Sequence, residues 1–140
     1  MKIAIAADHA GFEYKEALKA YLEEKGYEVT DYGTHSPEST DYPDYAHPLA
    51  TAVADGTYPF GVSVCGSGQG MCITTNKHAG VRAALVWNEE ISALARQHNN
   101  ANVLCLPSRF IDLDYAKKLL DIFLNTEFEG GRHQRRVGKI

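Results

Sequence analysis

The sequence predicts an α/β fold: a five-stranded parallel sheet with helices on both faces, in a Rossmann-like or flavodoxin-like three-layer sandwich. Short apolar runs typical of buried strands alternate along the chain with segments of helical periodicity. Such alternation makes strands parallel and covers both faces of their sheet. The 140 residues are enough to bury a core, so we expect residues 1–140 to form one domain with a basic C-terminal tail.

The first half of the chain supplies three predicted strands and two helices. The strands are short apolar or β-prone runs, and the first helix carries its apolar residues on one side before Gly26, which is well placed to end it. Pro48 falls early enough in the second helix to be tolerated in its first turn. In order, we predict strand 3–7, helix 11–25, strand 27–31, loop 33–43, helix 45–55 and strand 61–64.

The second half repeats the alternation and ends in a polar tail. Gly80 closes the third predicted helix, and Asp112 is a plausible N-cap for the last long one. The tail after Gly131 is basic and would ordinarily be mobile. In order, we predict helix 71–78, strand 81–86, helix 89–98, strand 102–106 and helix 112–125.

Composition excludes several classes of protein. A net charge of −4 argues against a general nucleic-acid binder, and no apolar run is long enough to span a membrane. The N-terminus turns acidic too early for a secretory signal. Three cysteines without Cys-x-x-Cys spacing disfavour a disulfide framework, a zinc site and a thiol redox protein. We therefore expect a cytoplasmic protein with neither nucleic acid nor membrane as a partner.

The most informative motif is the glycine-rich turn between the third strand and the third helix. Gly66, Gly68 and Gly70 leave backbone N–H groups uncovered where a helix begins, an arrangement that favours a bound anion. The spacing is neither the G-x-G-x-x-G of dinucleotide sites nor a Walker A loop. We therefore predict an anion site rather than a nicotinamide or ATP site.

Cys65 immediately precedes this turn. A thiol at a helix N-terminus should have a pKa below its free value, so its thiolate could act as a nucleophile or a general base. The other two cysteines, Cys72 and Cys105, are interpreted as small buried residues.

Further polar residues stand where ligands gather on parallel sheets, at the carboxyl ends of strands. Asp8 and His9 follow the first strand, and Arg109 follows the fifth. His98 lies instead at a helix end beside several asparagines. In the tail, Arg132 and Arg136 would share one face if the segment is helical, and arginine suits phosphate.

On these residues the chain resembles the family of ribose-5-phosphate isomerase B and the galactose-6-phosphate isomerase subunits. The motifs that carry the resemblance span nearly the whole chain in the family's order. They are 7–12 (ADHAGF), 41–43 (DYP), 65–71 (CGSGQGM), 76–77 (NK), 82–83 (RA), 96–99 (RQHN), 102–103 (NV) and 129–133 (EGGRH).

The resemblance implies interconversion of ribose 5-phosphate and ribulose 5-phosphate through an enediolate, without metal or cofactor. It implies that Cys65 moves the proton between C1 and C2, that Ser67 assists proton movement between the oxygens, and that His98 opens the sugar ring. Some relatives use a glutamate from the far side of the loop instead, but no glutamate stands there in this chain.

The resemblance also implies a set of binding residues and an oligomer. The family is dimeric or tetrameric with sites shared between subunits, so His98, Asn99 and Arg109 would come from the neighbour. The implied anion hole is formed by the backbone amides of Gly66, Gly68 and Gly70 together with Asn99. The implied sugar contacts are Asp8 and Tyr42. The implied phosphate contacts are His9, Arg109, Arg132 and Arg136.

Two other functions stay open at this point. A six-carbon substrate, allose 6-phosphate or galactose 6-phosphate, would need only a larger pocket. A non-catalytic module that binds sugar phosphates could use the same sheet, because fold does not determine function.

Overall fold

The computed structural model describes residues 1–140 and contains the predicted five-stranded, all-parallel sheet. Its strand order is β2-β1-β3-β5-β4, so β1 and β3 pair at the centre and β4 lies at one edge. The elements are β1 (Lys2–Ala7), α1 (Phe12–Glu24), β2 (Glu28–Asp31), α2 (Pro43–Ala54), β3 (Phe60–Cys65), α3 (Gln69–Thr75), β4 (Ala83–Leu85), α4 (Glu89–Asn99), β5 (Val103–Pro107), α5 (Leu113–Asn125) and α6 (Arg132–Val137).

Helices cover both faces of the sheet, as predicted. Successive side chains of a strand point to opposite faces, and β1 shows the consequence. Ile3 and Ile5 pack beneath α1, α4 and α5, whereas Ala4 and Ala6 pack beneath α2 and α3. The larger core lies on the first side and is closed by residues such as Phe123. None of the helices has the length and apolar character that crossing a membrane requires.

Three details of the helices differ from the sequence-based expectation. α2 begins at Pro43, whose missing N–H costs nothing at a first position, so Pro48 lies inside the helix rather than in its first turn. α3 ends at Thr75, before His78, because the Asn76 side chain turns to pair with both backbone groups of Ala83. The tail is ordered as α6 rather than left irregular.

The predicted boundaries of the other helices hold for physical reasons that the sequence carries. Gly26 has a φ of 93°, which suits glycine just beyond the end of α1. The Asp112 carboxylate accepts a hydrogen bond from the Tyr115 amide at 2.8 Å and so caps α5. Asn88 caps α4 in the same way through Ile91.

Candidate active site

A cavity of about 470 Å³ opens at the carboxyl edge of the sheet, where β1, β3 and β5 end. Residues from four separate loops, those after β1, β2, β3 and β5, meet there, because parallel strands deliver their following turns to one edge. Six of the predicted site side chains line this cavity, with Gly66 and Gly70 between them. The six are Asp8, His9, Tyr42, Cys65, Ser67 and Arg109.

Cys65 is the last residue of β3, and its side chain lies at the floor of the cavity with only 4% of its surface exposed. The backbone N–H groups of Met71, Gly68 and Gly70 are directed at its sulfur. These donors belong to the first turn of α3 and the glycine turn before it, where helical N–H groups have no internal partners. The arrangement can therefore stabilise negative charge at or beside the sulfur.

The predicted lowering of the Cys65 pKa is wrong for this structure. Burial raises the pKa of the thiol above its ordinary value of 9.0, and the Asp8 carboxylate raises it further. The N–H groups of Met71, Gly68 and Gly70 oppose the rise without cancelling it. The prediction counted the helix end and omitted the loss of water around the sulfur, which disfavours the charged form.

The raised pKa of the Cys65 thiol predicts how the activity of the protein depends on pH. If the thiolate is the working base, kcat/KM should increase about tenfold per pH unit below the thiol pKa, because the deprotonated fraction does. The pKa is raised, so the rate should still be climbing at pH 9.0 in the free enzyme. A pH profile of kcat/KM measures this, and a plateau reached below pH 8 would contradict the raised thiol pKa.

The loop after β5 holds Arg109 over the glycine turn. The Ser108 amide donates to the Cys65 carbonyl at 2.9 Å, and the Arg109 amide donates to the Gly66 carbonyl at 3.0 Å. A methyl group on Gly66 would lie 3.2 Å from the Arg109 guanidinium. Arg109 thus reaches the cavity of its own chain, whereas we had expected it to come from a neighbouring subunit.

Asp8 and His9 are oriented by hydrogen bonds at the end of β1. The Asp8 carboxylate accepts from the amides of Ala10 and Gly11 at 2.9 and 3.1 Å, which fixes the turn into α1. The Nδ1 atom of His9 accepts from the Thr40 amide at 3.2 Å. That bond leaves the Nε2–H of His9 as a donor, which suits an anionic ligand in the cavity.

Tyr42 closes one side of the cavity by packing against Gly70. A Cβ atom on Gly70 would lie 2.7 Å from the Tyr42 ring, which is closer than real side chains approach. Glycine at 68 is required for a different reason, since its φ is 77° and a Cβ there would lie 2.5 Å from Leu85. The two glycines therefore serve packing as well as exposing N–H groups.

Gly70→Ala should displace the Tyr42 ring and lower kcat/KM by roughly tenfold, the effect of losing one ordered contact of 1–1.5 kcal/mol. Thermal unfolding should change little, because Tyr42 is 42% exposed and can swing aside. The matched comparison is the same substitution in a Tyr42→Ala background, where it should have little further effect. If Gly70→Ala lowered kcat/KM equally in both backgrounds, displacement of the Tyr42 ring would not be the cause of the loss.

The remaining predicted residues lie away from this cavity. His98 and Asn99 end α4, and Arg132 and Arg136 belong to α6, which packs against α4. α4 begins beyond the carboxyl end of β4 and runs back for about 16 Å. Its end is near the start of β3, because the adjacent Asn102 carbonyl accepts from the Gly61 amide. One chain therefore holds these four residues at the sheet edge opposite Cys65.

Two of the asparagines near His98 have structural roles. Asn100 has a φ of 47° and caps α4 in the left-handed conformation, which asparagine tolerates. The Asn102 side chain accepts from the Arg82 amide and donates to the Gly80 carbonyl. Only Asn99 is exposed and free to meet a ligand.

The structure also places two residues that the sequence reasoning did not single out. Phe110 lines the cavity next to Arg109, although three-quarters of its surface is exposed. His133 stacks on His98 with ring centroids 4.2 Å apart, and burial, His98 and Arg132 lower the pKa of His133. The position of His133 in a polar tail gave no indication that its side chain would be buried. The position of Phe110 just after β5 could have indicated that it lines the cavity.

The fold and cavity define a class of protein: a three-layer α/β protein that presents a thiol and converging backbone donors to a small anionic ligand. Comparisons with known proteins identify it further. Residues 3–140 match the family described as Ribose/Galactose Isomerase. The chain is 48% identical to ribose-5-phosphate isomerase B of Escherichia coli over 139 residues, 99% of this chain and 93% of that protein.

Solved structures agree with this match. The chain superposes on ribose-5-phosphate isomerase B of Clostridium thermocellum with a TM-score of 0.98 and 45% identity, covering 99% of this chain and 94% of that one. The Mycoplasma genitalium enzyme with bound ribulose-5-phosphate gives a TM-score of 0.96 at 46% identity, covering 99% and 92%. The chain belongs to the ribose/galactose isomerase family.

Proposed function

We propose that this protein interconverts ribose 5-phosphate and ribulose 5-phosphate through an enediolate, using only its own side chains and backbone. The observation that carries the proposal is the sulfur of Cys65 at the point where three backbone N–H groups converge, in a cavity that also holds His9 and Arg109. The relative with ribulose-5-phosphate bound supports the same substrate.

Cys65 serves as the general base. A C–H beside a sugar carbonyl is a very weak acid. Its proton leaves only if a positioned base accepts it and the developing oxyanion is stabilised. C1 and C2 are neighbours, and one base above the planar enediolate can take the proton from one carbon and return it to the other. Ser67, exposed at the rim of the cavity, assists proton movement between the two oxygens.

The amides of the glycine turn stabilise the enediolate oxygen. They are fixed by α3 and by the loop after β5, so they need no reorganisation when charge develops. Loss of one such donor typically costs about 3–4 kcal/mol in the transition state. In this proposal Asn99 of a neighbouring subunit adds a side-chain donor, and Asp8 and Tyr42 contact the sugar hydroxyls.

The phosphate binds at cationic groups and makes no bond change. His9 and Arg109 supply donors from the cavity itself, and Arg132 and Arg136 lie one helical turn apart on α6 of a neighbour. Their binding energy orients the reacting end of the sugar. His98 of the same neighbour opens the furanose ring, a step that needs a side chain able to accept and donate a proton, as imidazole can.

We propose a homodimer or homotetramer with shared sites. The support is geometric: one chain holds His98 and Asn99 of α4 and the two arginines of α6 at the sheet edge opposite its base, and a second copy can bring them to the cavity. The apolar side chains of Trp87 and Phe110, exposed by 51% and 75%, flank the cavity and offer a surface for that copy. The three free cysteines suit a reducing cytoplasm.

A panel of five- and six-carbon sugar phosphates tests the function. We expect kcat/KM to be highest for ribose 5-phosphate and hydrogen at C2 to exchange with deuterated solvent during turnover. Faster conversion of allose 6-phosphate or galactose 6-phosphate would assign the six-carbon alternative; of these two sugars, the family description names galactose. Binding of sugar phosphate without hydrogen exchange at C2 would show that the protein is a non-catalytic binding module.

A further inference from the structure

Outside the cavity, two histidines and one carboxylate converge where α6 packs on α4. The Nε2 atoms of His98 and His133 lie 3.7 and 3.6 Å from the same carboxylate oxygen of Glu129. All three potential ligand atoms lie within 4.8 Å of one another. We refer to these residues, His98, Glu129 and His133, as the histidine–glutamate cluster.

The cluster is held by backbone hydrogen bonds rather than by chance contact of surface side chains. The Glu129 amide donates to the Gln97 carbonyl at 3.1 Å, which ties the segment before α6 to the end of α4. The turn at Gly130 and Gly131 folds the chain so that the Glu129 carboxylate lies 3.6 Å from the His133 ring at the start of α6. The His98 and His133 rings are stacked at an interplanar angle of 11°.

A second observation points to a ligand. His133 is only 6% exposed, and its Nε2 atom is buried without a hydrogen-bond partner. A buried polar nitrogen left unpaired costs free energy, and such atoms are rare in native structures. The unpaired nitrogen lies 3.6 Å from the same Glu129 carboxylate oxygen that lies 3.7 Å from His98.

We propose that the histidine–glutamate cluster binds a divalent cation of the zinc type and that its occupancy inhibits the isomerase. Two imidazoles and one carboxylate are a known Zn²⁺ ligand set, with water as the fourth ligand. Ligand atoms about 2.0–2.1 Å from a tetrahedral ion lie roughly 3.3 Å apart. The two nitrogen–oxygen separations in the cluster, 3.7 and 3.6 Å, are close to that spacing. The Glu129 side chain is 51% exposed and can move to close the difference, while each ring turns out of the stack.

The charges around the cluster restrict which ion can bind. Arg132 and Arg136 lie on α6 with His133, and their positive charges repel cations. Glu129 is the single anionic ligand of the cluster. Hard ions such as Mg²⁺ and Ca²⁺ depend on several oxygen ligands, whereas Zn²⁺ gains much of its affinity from imidazole nitrogen. The cluster therefore favours zinc over magnesium or calcium.

The inhibitory consequence rests on the proposed function of His98. Its Nε2 lone pair cannot accept or return a proton while it is bonded to a metal ion. Zinc should therefore block opening of the cyclic sugar, and a substrate supplied in the open-chain form should be less affected.

Binding is tested first, with Zn²⁺ alone and no sugar. Competition with a chromophoric chelator should show one tight site per chain, and Co²⁺ should give the visible absorption of a tetrahedral site. Glu129→Gln and His133→Gln should each weaken zinc binding by at least about tenfold, since even outer-shell changes cost that much. Glu129 is half exposed, so its variant tests the cluster even if His133→Gln disturbs folding.

The matched control is His47→Gln. His47 and His78 are the other close histidine pair, with Nδ1 and Nε2 2.7 Å apart, but no carboxylate completes a ligand set there. This variant should bind zinc as the unmodified protein does. Zinc binding that survives Glu129→Gln and His133→Gln, or that disappears in His47→Gln, overturns the assignment.

Inhibition is tested second, as the zinc concentration that halves each variant's own activity. We expect this concentration to rise at least tenfold in Glu129→Gln. Unchanged sensitivity in that variant would place the inhibition elsewhere, with the Cys65 thiol the obvious target, and would overturn the inhibitory claim. Failure of the sugar-phosphate panel would leave zinc binding untouched, so the two proposals can fail separately.

Discussion

Cys65→Ala should lower kcat for ribose 5-phosphate by about 10⁴-fold, the upper end of what a positioned general base contributes. The reason is local: backbone N–H groups converge on the Cys65 sulfur, whereas the Asp8 carboxylate is held through Oδ1 by the amides of Ala10 and Gly11. Hydrogen exchange at C2 of the substrate should fall in parallel with turnover. A variant that keeps more than about a tenth of wild-type activity would remove the thiol from the role of base.

The same variant should keep its fold and its affinity for the sugar phosphate. Removing one buried sulfur costs about 1 kcal/mol, comparable to the loss of a methyl-sized group. Cys72→Ala is the matched control, since Cys72 is half-buried and its thiol donates to the Ala83 carbonyl rather than facing the cavity. We expect that control to retain full activity, as measured by steady-state assays and thermal unfolding.

Much of the fold could be predicted because local patterns and tertiary structure agree. Alternating strand and helix signals determined the parallel sheet, and the carboxyl-edge rule brought Asp8, His9 and Arg109 to one place with Cys65. The caps at Gly26 and Asp112 followed from residue chemistry alone.

What could not be predicted depends on distant parts of the chain. The sign of the Cys65 pKa shift is set by how much water the packed core removes, which no spacing of glycines reports. The burial of His133 depends on α6 folding back onto α4. For Arg109 the two sequence-based expectations disagreed: its place after the fifth strand predicted this cavity, whereas the family resemblance implied a contribution from a neighbouring subunit.

The second large effect is expected when two inactive variants are combined in one oligomer and activity is restored. Cys65→Ala and His98→Ala chains, co-expressed with different affinity tags and purified through both, should form a dimer with about half of the wild-type activity. In shared sites, the intact Cys65 of one chain meets the intact His98 of the other, while the second site lacks both. Each parent variant alone should be nearly inactive on cyclic substrate.

A second pairing shows which residues belong to the same chain's site. Cys65 and Arg109 line one cavity of one chain, so a Cys65→Ala/Arg109→Ala mixed dimer leaves both sites damaged and should stay inactive at low substrate concentration. Recovery in this pair would mean that Arg109 crosses to the neighbour. An inactive Cys65→Ala/His98→Ala dimer would show that His98 does not cross between subunits, and the separation of the two sheet edges would then exclude it from the reaction altogether.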